Sequence, residues 1–484
     1  MGLLGILVAV GMLIALAYRG WTILLLAPAA ALVVAAFSRE PLLAHWTQTF
    51  MSSTATFIAQ FFPMFLLGAL FGKLMDDSGS VKAIAHFIVQ RLGSRHAILA
   101  IVLAGAVVTY GGVSLFVAFF VLAPMAQEVF RAANIPRRLM PAAIALGTIT
   151  FTMSAAPGTP AIQNAAVMPF LGTTLFAAPG LGAIASVIML AFGLGWLRFA
   201  EARARRAGEG FGTGDVASPD FVATDTNVRE RATTTREFDP AEIGRGQKSA
   251  VAPPVALAAL PLVVVVGVNL LMAWVILPRL DAAFLAEERW GASSLSAVGG
   301  VWSVVVALAA ATLVLLLTSR GRFPALRDSV DAGANAAVLP ALTVSSLVGF
   351  GAVVAAVPAF DSVRNWLLSL GGGVLIPIAV STNVLSALTG TAAGSLTITF
   401  KAFGDTLLRL AAEQHVDHEL MHRVATIGAG TLDSLPHNGA IAVLLAVCGS
   451  THRESYLNIA AVAIIGPAVA LAVVIALGAT FGSF

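Results

Sequence analysis

GALFGKLMDDSGSVKAIAHFIVQRLG, residues 68–93, is answered by LVGFGAVVAAVPAFDSVRNWLLSLGG, residues 347–372, at an offset of 279 positions that also aligns Phe87 with Trp366. Gly72, Gly93 and Gly111 recur at that offset as Gly351, Gly372 and Gly390. Working outward, each copy continues into a glycine-rich apolar tract, VTYGGVSLF (108–116) and LTGTAAGSL (388–396). A helical stretch broken by proline and polar residues comes next, TMSAAPGTPAIQN (152–164) and TLDSLPHNGAI (431–441). In a chain with 45 glycines three matches arise by chance, but an ordered series of features at a nearly constant offset does not. Fixed-offset repetition in a hydrophobic chain is how secondary transporters are built, with the substrate held where the copies meet.

Composition places the chain in the membrane. Hydrophobic residues make up 58% of the 484 and charged residues 11%, with a mean hydropathy of +0.90. A soluble domain carries about a quarter charged residues, so the reading is an all-α polytopic membrane protein in the lipid bilayer. The 22 prolines and 45 glycines fit, because membrane helices tolerate both where neighbours satisfy the freed backbone groups. Cys448 is the single cysteine, which excludes an intramolecular disulfide and argues against a thiolate-held metal. A net charge of +3 is too small to suggest a nucleic-acid partner. The N-terminal apolar run lacks a basic leader and is followed by another span, so it reads as a retained helix.

Spans need about 20 mainly apolar residues. Candidates are 3–18, 21–37, 55–75, 139–170 and 174–197, then 252–278, 296–318, 337–358, 421–447 and 457–482. Two further tracts, 97–127 and 373–400, contain no Asp, Glu, Lys or Arg and carry Gly, Ser and Thr at their middles. Each reads as a re-entrant hairpin whose tip is buried in protein or faces a watery cavity. Residues 199–250 are the compositional outlier, a charged linker opening with Arg203, Arg205 and Arg206 and closing with Arg245 and Lys248. The positive-inside rule puts both its ends in the cytoplasm, with Arg19, Lys73, Arg91, Arg137 and Arg320 on the same side. Asp281, Glu287, Glu288, Glu413, Asp417 and Glu419 fall opposite. The expected organisation is a first repeat over 1–198, the linker over 199–250 and a second repeat over 251–484. Each repeat then has about five spans plus one hairpin, and an odd span count inverts the second repeat relative to the first.

Four elements converge at midplane depth: the tips Tyr110–Ser114 and Thr389–Ser395, and the breaks Ser154–Asn164 and Asp433–Asn438. A broken helix frees N–H and C=O groups that a ligand or coupling ion satisfies. In the first break Thr159 and Pro160 read as N-cap and first helical residue, with Gln163 and Asn164 a turn further on. The bland alternative is a proline kink with amides joining helices. Asp433 is the one acidic residue between Met421 and Cys448, and an intramembrane carboxylate is a functional hypothesis by default. It either carries the coupling ion or caps the half-helix. His437 relays protons, contacts substrate or is structural, and Asn438 is the better candidate for touching substrate or ion.

The tract around Asn383, Thr391 and Ser395 suits Na⁺ coordination or anion binding equally. Gly111 and Gly112 permit a tight tip or close helix packing, and Tyr110 gates the tip, hydrogen-bonds there or anchors an interface. Ser434 beside Asp433 completes the ion-coupling candidates. Substrate candidates are Thr159, Gln163, Asn164, His437, Asn438, Thr391, Ser395, Gly111 and Gly112. The chain has no GxxxxGK[ST] run for ATP, no HExxH or Cys/His cluster for a metal, and no partnered serine nucleophile, so no enzyme and no bound cofactor is expected.

SAAPGTPAIQN (154–164) with LDSLPHNGAIAVLLAVCGSTHRESY (432–456) resembles the gluconate permease (GntP-type) family, within the wider ion transporter superfamily. The resemblance implies uptake of a gluconate-like sugar acid or small hydroxycarboxylate with a cation, usually H⁺, across a bacterial inner membrane. It further implies a scaffold and a transport domain, two opposed hairpins, a homodimer and an elevator motion, with 159–164 and 433–438 lining the site. The expected function is therefore proton-coupled import of a small organic anion. The alternatives are a Na⁺-coupled di- or tricarboxylate symporter, and, from another class, an anion channel or a non-transporting scaffold. A strongly charged substrate favours a fixed Arg or Lys, and the charge-free tracts show none, which points to a monoanion.

Overall fold

The computed structural model describes residues 2–19, 21–212, 239–369, 371–436 and 438–484, and within them every regular element is a helix. Helices α1 (Gly2–Tyr18) and α2 (Ile23–Ser38) precede α3, which runs from Leu42 to Asp77 through a π turn at His45–Phe50. Then come α4 (Ser80–Leu92), α5 (Ala97–Tyr110), α6 (Leu115–Ala132), α7 (Met140–Thr148), α8 (Phe151–Ser154), α9 (Ile162–Ala165), α10 (Met168–Leu171) and α11 (Pro179–Arg206). The second half holds α12 (Val255–Arg279), α13 (Leu295–Thr318), α14 (Leu326–Ala356) and α15 (Phe360–Leu368). It closes with α16 (Leu375–Thr389), α17 (Ala392–Glu413), α18 (His418–Leu432), α19 (Gly439–Val447) and α20 (His452–Phe481).

By length and composition, seven of the described helices are able to cross a bilayer, and the bent pair α4 and α5, turned by 99°, makes an eighth candidate. The order of elements repeats. α3, α4, the pair α5/α6, the broken α7–α10 and α11 are followed in the second half by α14, α15, α16/α17, the broken α18/α19 and α20. The glycines that mark the repeat explain part of it. Gly93 and Gly372 both hold positive φ, 65° and 76°, immediately ahead of their hairpins, a conformation in which a Cβ is strained. The span expected over 139–170 is instead four short pieces, α7 to α10, because Gly158 at φ 81°, Pro160 and Gly172 at φ 64° each stop helical propagation.

The helices pack in two sets that also contact each other, α17 on α14 and α10 on α13. α14 lies on α3 and α2, α3 on α13, α13 on α12, and α2 on α1. The hairpins and broken helices form the other group, where α5 and α6 pack on α7, α6 on α19, α16 and α17 on α18, and α11 on α20. Buried Phe57, Phe61, Phe65, Phe116 and Phe119 fill the larger core.

The linker expected over 199–250 has structured ends. α11 continues to Arg206, and the residues after it are held by Arg138 Nε at 2.7 Å from Glu209 and by Phe211 N donating to Asn134 Oδ1 at 3.0 Å. Residues 213–238 lie outside the described residues. Beyond them Asp239 N donates to Ala336 O, Lys248 pairs with Asp76 at 2.9 Å, and Ser249 N donates to Asp77 O. Lys73, read from loop charge as a cytoplasmic position, is only 1% exposed: it pairs with buried Asp77 at 2.8 Å and donates to Ile243 O at 3.1 Å.

Candidate substrate site

At the first break the chain leaves α8 at Ser154 and resumes as α9 at Ile162. The expected cap is displaced: the N-cap is Ala161 with no side-chain bond, so Thr159 and Pro160 lie before the helix rather than starting it. The reason is Asn164, whose Nδ2 turns back to donate to Thr159 O and Leu175 O, each at 3.1 Å, and closes the loop in place of a hydroxyl cap. Thr159 and Gln163 are buried, yet Thr159 Oγ1 and Gln163 Oε1 have no hydrogen-bond partner among the described residues.

The first hairpin turn seats on this break. Tyr110 OH donates to Pro157 O at 2.7 Å. A Cβ on Gly112 would stand 3.0 Å from Pro160 Cγ. Between turn and break is a cavity of about 20 Å³, bordered by Thr109, Ser114, Met153 and Ala161, with room for a single water. Gly111 faces elsewhere: a Cβ there would stand 2.5 Å from Leu262 Cδ2, so its place in the fold is close packing on α12.

The second break is organised by Asn438. Its Oδ1 caps α19 by accepting from Ala440 N at 2.7 Å, while Nδ2 donates to Gly390 O at 3.1 Å, to Asp433 Oδ1 at 2.8 Å and to the Asp433 carbonyl. One amide thus ties the second hairpin turn, the buried Asp433 and the resumed helix together. Ser434 is also buried, and its carbonyl accepts from Tyr456 OH at 3.1 Å. Thr391 caps α17 through Gly394 N, and Ser395 Oγ donates to Ala392 O at 2.8 Å, so both hydroxyls serve the turn itself. Asn383 sits half-buried on α16 and donates to Ala379 O on its own helix. His437 lies outside the described residues.

Four site-forming residues escape a sequence reading. α18 lies across the first break and grips it: His418 Nδ1 contacts Leu171 O at 3.0 Å, and Glu419 Oε2 accepts from Ala178 N at 3.2 Å. His422 Nε2 meets Asn164 Oδ1 at 2.8 Å, and its Nδ1 meets Thr173 Oγ1 at 2.7 Å. Because both Asn164 amide hydrogens are used on carbonyls, Nε2 of His422 is the protonated nitrogen. Arg423, fully buried, donates to Ala177 O at 3.1 Å and to Ala155 O at 3.1 Å, with Ser154 O at 3.4 Å. The absence of a fixed cation, argued from the charge-free tracts, is therefore corrected: Arg423 stands beside the first break. The available signal was an Arg two residues inside the 421–447 span, a costly place for a charge.

A multi-pass helical protein with two hairpin turns seated on two helix breaks belongs to the class of membrane transporters. Its sequence matches the GntP family permease model over residues 1–202. It is 38% identical over 482 residues, 98% of each chain, to the uncharacterized transporter YxjC of Bacillus subtilis (strain 168). It is also 36% identical over 104 residues, 21% of this chain and 23% of the relative, to the high-affinity gluconate transporter of Escherichia coli (strain K12). The chain belongs to the GntP permease family, whose matched members are transporters and not enzymes.

Proposed function

We propose that this protein is a secondary active transporter that imports a gluconate-like sugar acid or small hydroxycarboxylate by proton symport. The observation that carries the reading is that each hairpin turn is bonded to the break of its own repeat, Tyr110 to Pro157 and Gly390 to Asn438. Paired turns and breaks of this kind are how secondary transporters bring freed backbone groups to a ligand and its coupling ion. In this reading the repeats are inverted and α5/α6 and α16/α17 are hairpins entering from opposite sides. The group holding the hairpins moves as an elevator against the other, in a homodimer of the bacterial inner membrane with the linker cytoplasmic. Asp433, with the adjacent Ser434 and with Asn383 of α16, carries the coupling ion, while Thr159, Gln163, Asn164 and Asn438 serve the substrate. The gluconate transporter among the relatives supports the substrate class over the stretch it shares.

Labelled gluconate uptake into proteoliposomes under an inward proton gradient without Na⁺ tests this, with native protein beside Asp433→Asn. Uphill accumulation in the native protein alone is the expected result. Equal accumulation in both confines Asp433 to capping α19, and accumulation only with Na⁺ or another carboxylate overturns the ion or substrate assignment. One observation favours a second reading, Na⁺-coupled uptake of a di- or tricarboxylate: the buried Arg423 supplies the fixed positive charge that a multiply charged substrate favours.

A further inference from the structure

Resting on the transport reading above, we infer that the carboxylate of the substrate is held at the first break and not the second, with Thr159 donating to it and Gln163 accepting from a substrate hydroxyl. The first argument is the pair of open valences. Thr159 Oγ1 and Gln163 Oε1 are buried side-chain atoms without a partner, four residues apart in the same break. A buried polar group left unmatched is costly, and a donor and an acceptor in one break match the carboxylate and the hydroxyl of a hydroxy acid.

The second argument is charge. Every hydrogen-bond acceptor of Arg423 is a main-chain carbonyl, and no carboxylate among the described residues pairs with it. Carbonyl dipoles satisfy its N–H groups, and Glu419, one turn earlier on α18, acts on its charge through space without forming an ion pair, so that a bound anion is a further counter-charge. α9 is a single turn, too short for a helix dipole to contribute, so anion binding here depends on these side chains.

The third argument is the contrast between the breaks. At the offset of 279, Ser154 corresponds to Asp433. The Ser154 carbonyl faces Arg423, whereas the second break carries the Asp433 carboxylate itself beside Asn438. When Asp433 is ionised, a second carboxylate there meets like-charge repulsion. The two equivalent places are thus of opposite sign, anion-accepting at the first and cation-accepting at the second.

The test is full-length protein in proteoliposomes, with gluconate KM measured for native, Thr159→Val, Gln163→Leu, Arg423→Lys, Arg423→Gln and Thr399→Val. Thr399 is the control, a buried, unpartnered hydroxyl on α17 that belongs to neither break. We expect Thr159→Val and Gln163→Leu to raise KM by roughly tenfold or more, the usual effect of losing one bond in a buried site. Arg423→Lys should raise KM less than Arg423→Gln, and Thr399→Val should leave it at the native value. With 2-deoxy- and 3-deoxygluconate as competitors, Gln163→Leu should erase the native preference for gluconate over one of them, whereas Thr159→Val should weaken all three acids alike. Native KM in both Thr159→Val and Gln163→Leu overturns the inference. Thermal unfolding in detergent with gluconate, lactate, succinate and neutral sorbitol separates it from the transport reading. A native protein stabilised by a carboxylate it does not take up ends the transport reading, and loss of that stabilisation in Thr159→Val keeps the anion site. No stabilisation and no uptake by any acid overturns both.

Discussion

Asn164 and Asn438 do the same physical work at the two breaks, since each amide donates to carbonyls that a broken helix has freed. Their partners differ, because Asn164 is held from outside by His422 while Asn438 holds Asp433 and caps α19. This difference makes Asn438 a discriminating target. Loss of an N-cap alone costs about 1 kcal/mol, so Asn438→Ala should lower the thermal unfolding midpoint by at least that contribution. Asn438→Asp keeps a capping oxygen but sets a second carboxylate beside Asp433, and it should be the less stable of the two at neutral pH. An Asp variant as stable as native would reduce Asn438 to a cap. At this scale the sequence disclosed which residue types gather at the breaks but not what they bond to. Thr159 followed by proline has the composition of a helix start, and only the fold-back of Asn164 onto its carbonyl reveals that the helix begins later. Arg423 and His422 were hidden for a different reason. Their partners Ala177, Asn164 and Thr173 lie about 250 residues away in sequence, and no local pattern encodes a contact of that separation.

Elements were more legible than contacts, since span positions follow from apolar run length and the two turns from charge-free tracts centred on glycine. What composition missed was where polar segments attach. The ends of the 199–250 segment read as charged linker, but pairing with half-buried Arg138 at one end and buried Asp76 at the other turned them into anchors. Lys73 and Asp77 make the point at the end of α3, where neither is solvated. Removing one partner of a buried pair costs about 3–5 kcal/mol, whereas replacing both by apolar residues is often neutral. Lys73→Met should therefore strongly destabilise the protein, and Lys73→Met with Asp77→Leu should recover most of the loss in a detergent unfolding series. The opposite anchor responds to pH. The hydrogen bond from Arg138 holds the Glu209 carboxyl below its ordinary 4.5, partial burial opposing and the guanidinium charge adding. A depressed carboxyl contributes stability that is present above its unfolded pKa and lost as pH falls through the folded one. Amide exchange over 207–212, corrected for intrinsic rate, should hold steady down to about pH 4.5 and rise below it. Arg138→Ala should show the raised rate already at neutral pH.

For the molecule as a whole, the repeat is visible in element order, from α3 to α11 and from α14 to α20. The proposed inversion rests on the loop charges and the odd span count, and it determines whether the two breaks are presented to opposite sides of the membrane. Inversion matters because a site between oppositely inserted copies can open to either side by exchanging their roles, with no refolding of the breaks. The loops that precede the two hairpins supply the direct test. Arg95 follows Gly93, Ser369 precedes Gly372, and both positions are exposed. Cys448, the one cysteine, is buried and serves as a silent background for thiol labelling. Arg95→Cys and Ser369→Cys should react with a membrane-impermeant maleimide from opposite faces of oriented vesicles, Arg95→Cys from the side that also labels Lys248→Cys. Reaction of both from one face would make the repeats parallel. The hairpins would then enter from the same side, and the first break could not alternate with the second in facing the two compartments.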